Sequence, residues 1–109
     1  MVKYIPKQGD IIYLNLDSIK QKGTRPAVVI STNTFNKYTK MTIVCPITST
    51  DKEFPTHYKL ENTNLVKGAV LCEHIRSIDY KKRKVNYVEH LSDNDFISVM
   101  QLINACIEE

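Results

Sequence analysis

The sequence predicts a mainly β domain, a strongly bent sheet or small barrel closed by one C-terminal helix. Three observations carry this reading. Short runs rich in β-branched and aromatic residues recur along the chain, polar turn residues separate them, and after residue 91 the apolar spacing changes to a helical one.

Gly9-Asp10 introduces the first strand, Ile11 to Leu16. Asp17 to Thr24 is polar, basic and carries Gly23, so it reads as a loop. Pro26 to Ser31 is a nearly continuous apolar run, as in a buried strand, with Pro26 expected at its first residue, where a ladder donor is dispensable. Thr32 to Lys40 reads as a turn or helical loop. Met41 to Thr48 is the third strand, and Thr56 to Leu60 the fourth, with weak alternation. After a turn at Asn62-Thr63-Asn64, Gly68 to Ile78 reads as one further strand. The basic run Lys81 to Lys84 is a solvated turn, and Val85 to Val88 a short strand. Ser92 has the character of an N-cap. Asp93 and Asp95 fall in the first turn, where carboxylates favour the helix dipole. Phe96, Met100, Ile103 and Ile107 recur at steps that mark one helical face.

With 109 residues the chain is a single domain, residues 1–109, small enough for oligomerisation to be a plausible source of extra stability. No apolar run is long enough to span a membrane, and the first ten residues, MVKYIPKQGD, lack the apolar core of a signal peptide. Cys45, Cys72 and Cys106 show no metal-type spacing and leave an odd count, which points to a reducing compartment, the cytoplasm. The cysteines read as buried structural thiols. The net charge of +3 is compatible with a polyanionic partner.

Candidate chemistry narrows by elimination. His57, His74 and His90 are far apart in sequence, and Glu73-His74 falls on an expected strand where neighbours face opposite ways, so no metal site is expected. Three dispersed glycines cannot build a phosphate-cradling loop. What remains is a basic and hydroxyl-rich set at strand ends. Arg25 stands where a polar loop enters a strand, and Thr48, Ser49 and Thr50 where a strand leaves the core. From position alone, a surface charge beside Pro26 is the favoured reading of Arg25, and ordinary turn chemistry that of Thr48, Ser49 and Thr50, with a functional role the alternative.

Three ordered stretches resemble the MazF/PemK family of toxin–antitoxin ribonucleases. They are Gly9-Asp10-Ile11 with Gly23-Thr24-Arg25-Pro26-Ala27-Val28-Val29, then Phe35-Asn36 with Val44-Cys45-Pro46-Ile47-Thr48-Ser49, then Gly68 through Asp79. The resemblance implies an SH3-like small barrel with a C-terminal helix, assembled as a homodimer. It implies a sequence-specific endoribonuclease that cuts single-stranded RNA by metal-independent 2′-OH attack, with no cofactor and with a cognate antitoxin protein as partner. Arg25 matches the family's catalytic Arg and Thr48 its catalytic Thr, with Glu73 a candidate base. The RNA contacts implied are Lys20, Lys22, Thr24, Ser49, Thr50, Phe54, His74 and Arg76.

The chemistry suits these groups. A guanidinium is a planar fork matched to phosphate oxygens, and one fixed donor on developing charge is worth roughly 3–4 kcal/mol. The chain also departs from the family. Its loop before Arg25 is shorter and reads Ser18-Ile19-Lys20-Gln21-Lys22, with no acid or His, where relatives carry Gly-Ser-Glu-Gln or Gly-His-Glu-Gln. Leu71 stands where the PemK branch has an Arg, so the chain leans to the MazF branch, and His74 replaces the usual Gln. Two alternatives share the fold. One is a gyrase-binding CcdB-like toxin, opposed by the absence of Trp and by the Cys106-Ile107-Glu108-Glu109 end. The other is an inactive relative that serves as a binding module.

Overall fold

The computed structural model describes residues 3–15, 23–50 and 52–108. Seven strands and two helices follow in the order β1 (Asp10–Asn15), β2 (Thr24–Val29), α1 (Asn33–Thr39), β3 (Met41–Thr48), β4 (His57–Lys59), β5 (Ala69–Leu71), β6 (Arg76–Asp79), β7 (Asn86–His90) and α2 (Asp93–Ile107). The expected class, mainly β with a terminal helix, is what forms. The sheet is strongly bent but open, with hydrogen-bonded order β4-β5-β3-β2-β1-β7 and β6 paired to β3, so "barrel" describes it only loosely.

The strand β3 organises the sheet. One edge pairs with β2, in register Ala27–Pro46 to Val29–Val44. The other edge is shared. Its first half, Met41–Val44, pairs with β6, and its end, Ile47–Thr48, pairs with β5. The expected single strand from Gly68 to Ile78 is therefore two. Thr48 lies opposite Ala69, whereas Val44 lies opposite Arg76, so the chain carries three more residues on this side than continuous pairing would need. They form a turn closed by the His74 amide donating to the Leu71 carbonyl at 3.0 Å. This overturns the placement of Glu73 and His74 on opposite faces of a strand, since both side chains are exposed on the turn.

Continuous apolar runs mark strands buried on both faces. Ile11, Val28, Cys45 and Ile47 point into the larger core, which Val99 and Ile103 of α2 close, while Ile12, Ala27, Val29 and Val44 point to a second core with Ile78. Pro26 is the third residue of β2, not the first. It lies opposite Tyr13 on β1, and the ladder to β3 starts only at Ala27, so the missing amide leaves that ladder intact.

The helix α2 starts as expected, with Ser92 accepting from the Asp95 amide. Its buried line is Asp95, Val99 and Ile103, with Phe96 and Met100 at the margin, and Ile107 is exposed. Asp95 is thus no surface dipole partner. It is fully buried and accepts from the Tyr58 hydroxyl at 2.6 Å and from the backbone and side-chain nitrogens of Asn62, both at 3.1 Å. Burial, then this hydrogen bond, pushes the Tyr58 hydroxyl up to about 12. Cys45 and Cys72 are buried, and burial pushes both thiols up to about 12, but Cys106 is exposed, contrary to the expectation of three buried thiols. Among the described residues no helix is long and apolar enough to cross a membrane.

Replacing Asp95 with Ala takes the acceptor from three part-buried donors, the Tyr58 hydroxyl and both Asn62 nitrogens, at a cost of about 2 kcal/mol. The Asp95→Ala protein should show that loss in urea unfolding followed by circular dichroism. A neutral-pH thiol reagent should label Cys106 rapidly in the folded protein and reach Cys45 and Cys72 only on unfolding, with mass spectrometry as the readout.

Candidate active site

Arg25 enters β2 one residue after Thr24 and lies opposite Leu14 of β1. Thr48 is the last residue of β3. Two adjacent strand ends thus carry the two side chains singled out from sequence. They line one groove together with Tyr13, Thr24, Pro26, Ser49, Thr50 and the segment Leu65-Val66-Lys67. The Thr48 hydroxyl is held locally, accepting from the Thr50 amide at 3.3 Å and lying 3.3 Å from the Thr50 hydroxyl. The turn chemistry and the site chemistry are therefore one arrangement: the turn fixes the hydroxyl at the groove.

Why Thr48 sits there is a matter of backbone packing. Gly68 (φ +134°) runs against it so closely that a Cβ at that position would meet the Thr48 carbonyl oxygen at 2.2 Å. Only glycine tolerates both the left-handed φ and this approach.

Two further clefts continue the groove. At one end Ser49 is shared with a cleft formed by Glu53, Phe54, Pro55, His57, Lys59, Gly68 and Ala69. Phe54 is 58% exposed there, its ring centroid 5.4 Å from that of His57. At the other end Arg25 itself is shared with a cleft that gathers His74, Arg76 and Arg83 over an apolar floor that includes Leu14, Pro46 and Ile78. The result is a track running from Phe54 past Thr48 and Arg25 to Arg76, with three guanidinium groups at one end.

The structure thus brings Arg25, Thr48, Thr24, Ser49 and Thr50 into one groove, and places Phe54, His74 and Arg76 in clefts that share a residue with it. Lys20 and Lys22 lie outside the described residues. Glu73 lines none of the three clefts. Its carboxylate accepts from the Thr56 hydroxyl at 2.6 Å and lies 3.1 Å from His57 Nε2 and 3.7 Å from His74 Nε2. Partial burial pushes this carboxyl up, but the hydrogen bonds from Thr56, its own amide and His57 outweigh that, and it stays below the usual carboxylate range. Sequence reasoning missed Arg83, which it assigned to a solvated turn, and Tyr13 and Lys67. The basic run at 81–84 was the available signal for Arg83, whereas nothing local marks Tyr13 or Lys67. Among the described residues no group of three or more His, Cys, Asp or Glu side chains is arranged to hold a metal ion.

Residues 7–107 match the family described as PemK-like, MazF-like toxin of type II toxin–antitoxin system. The chain is 33% identical over 84 residues to the endoribonuclease toxin MazF of Escherichia coli (strain K12), covering 74% of this chain and 75% of that one. Its fold is similar to the crystal structure of MazF from Deinococcus radiodurans, with a TM-score of 0.84 at 29% identity over 94% of this chain and 96% of that chain. It is likewise similar to a MazE–MazF crystal structure from the same organism, with a TM-score of 0.87 at 29% identity over 94% and 95%.

The Gly68 contact generates a direct test. Gly68→Ala must displace the end of β3, at a cost of about 2–3 kcal/mol. The variant should melt at a lower temperature and bring Thr48 out of register with Arg25, visible as altered amide shifts at residues 47–50.

Proposed function

The chain belongs to the family of PemK-like, MazF-like toxins of type II toxin–antitoxin systems, and on that footing we propose that it is an endoribonuclease toxin that cuts single-stranded RNA without a metal ion, using Arg25 and Thr48. The observation that carries this reading is the groove those two residues share, prolonged by a basic cleft on one side and an exposed aromatic on the other.

In the proposed reaction the 2′-oxygen bonds to the adjacent phosphorus and the bond from phosphorus to the 5′-oxygen breaks. The products are a 2′,3′-cyclic phosphate and a 5′-hydroxyl. Negative charge grows on the non-bridging oxygens, and the Arg25 fork meets it with fixed N–H donors. Thr48, its hydroxyl held by Thr50, orients the attacking 2′-OH, and positioning lowers the barrier by holding this already intramolecular attack in line with the leaving 5′-oxygen. We leave Glu73 out of the proton path, because it lies outside the groove and is engaged by Thr56 and His57. Arg25 is a poor proton donor, since arginine holds its proton so tightly, so the 2′-OH proton passes to water and water protonates the leaving 5′-oxygen. Arg76 and Arg83 would grip phosphates, and Phe54 would stack on a base at the opposite end. A cytoplasmic homodimer restrained by an antitoxin completes the reading. Such an antitoxin would lay an acidic segment along the basic track.

Incubation with a long single-stranded RNA in excess EDTA should give discrete cuts ending in cyclic phosphate. Arg25→Ala should lower kcat/KM by about 100- to 1,000-fold with an unchanged melting temperature. A 2′-deoxy substitution at the scissile nucleotide should abolish cutting there. Activity lost in EDTA and restored by a divalent ion overturns the metal-free reading. Glu73→Gln should keep activity within about threefold, since a true general base contributes about 100-fold or more. Its depressed pKa keeps Glu73 charged at neutral pH, and the hold on Thr56 and His57 should weaken only in acid, as pH falls through that lowered value.

A further inference from the structure

The groove has an outer wall that neither strand end supplies. It is the connection between β4 and β5, whose Leu65, Val66 and Lys67 face Arg25 and Thr48. Leu65 is 68% exposed, a large apolar side chain held out in water beside a polar groove. The backbone that carries it is bound with unusual completeness. The Glu89 carboxylate accepts from three consecutive amides, those of Asn64 at 2.9 Å, Leu65 at 2.8 Å and Val66 at 2.7 Å. The Thr63 hydroxyl donates to the Val66 carbonyl at 2.5 Å, and Lys67 Nζ donates to the Thr63 carbonyl. Asp95 holds the Asn62 amide at the start of the same connection.

The carboxylate is available for this role because β7 changes register. Ile11 lies opposite Glu89 but Ile12 lies opposite Tyr87, which leaves Val88 as an extra residue, and such a bulge re-aims the side chains around it. Three converging amides suit a carboxylate, whose two oxygens accept several bonds and donate none. An amide in its place would offer one acceptor and turn an N–H₂ group toward amides that also donate.

We propose that Glu89 is a positioning residue for RNA binding, which fixes the backbone of Asn64–Val66 so that Leu65 stands as a preset apolar wall against which a nucleotide beside the scissile phosphate packs. The proposal rests on the groove being the RNA site. Its physical basis is preorganisation. A wall already ordered in the free protein costs little further entropy when substrate arrives, whereas a loose loop must be ordered at that moment, at the expense of affinity. Glu89 touches no substrate, so its removal acts on binding and leaves the chemical step alone.

Steady-state cleavage of a single-stranded RNA oligonucleotide with one cut site tests this with the full chain. Glu89→Gln and Glu89→Ala should each raise KM by about five- to tenfold and leave kcat within about twofold. Leu65→Ala should do the same. The Glu89→Ala/Leu65→Ala double variant should be no worse than either single, because the carboxylate works through the wall. Amide exchange at 64–66 should quicken in both Glu89 variants. A KM that stays unchanged while those amides exchange faster overturns the proposal. So does a fall in kcat that tracks lost folded protein at constant KM, the signature of a purely structural role. The near-isosteric Glu89→Gln decides the matter if Glu89→Ala does not fold. Wild-type protein that cuts no RNA overturns the nuclease reading on which this one rests, whereas cutting by wild type with no KM effect in the variants overturns the wall alone.

Discussion

The three-way pairing of β3 is the constraint on which the rest of the molecule depends. One strand serves β2 along one edge and divides its other edge between β6 and β5. To divide an edge, the partner chain must leave and rejoin it, and the Cys72–Ile75 turn is where it does so. That turn lifts Glu73 out of the sheet and presents His74 and Arg76 on the side of Arg25. The end of β3 is then free of β6, and Thr48 rests against the backbone of Gly68. The clefts that make up the track are gaps left around a strand with more neighbours than a flat sheet would allow it.

Carboxylates do much of the holding in a chain of net positive charge. Asp95 and Glu89 bind backbone amides of one connection from two different elements, α2 and β7. Asp10 is buried and takes bonds from the Tyr4 hydroxyl, the Lys7 amide and His90 Nδ1. Each of these acids is engaged at short range by donors, while Arg25, Arg76 and Arg83 face a cleft whose lining contains no acid. The separation gives that end of the track its sign: these three acids are consumed as structure, and the guanidinium groups are left to the cleft.

The sequence made the class, the order of most strands and the Ser92 helix start legible, because burial on both faces and helical spacing write directly into residue type. Arg25 and Thr48 were legible as strand-end residues, and the two line one groove. The division of Gly68–Ile78 into two strands was not legible, because the register offset belongs to β3 and leaves no mark in the residues that span it. Asp95 was misread for a similar reason. An aspartate in a first helical turn is so commonly a surface residue that only the distant Tyr58 and Asn62 reveal it as buried. The same holds for Glu89, whose meaning lies in amide partners more than 20 residues away.

An open sheet has free margins, and β4 is one of them. It is only three residues long, and Lys59 on it is exposed. A margin so short presents too few unpaired amides and carbonyls for a foreign strand to add itself in register. The molecule can therefore leave its sheet unclosed, and keep the adjoining cleft accessible, without turning that rim into a seed for fibrous self-association.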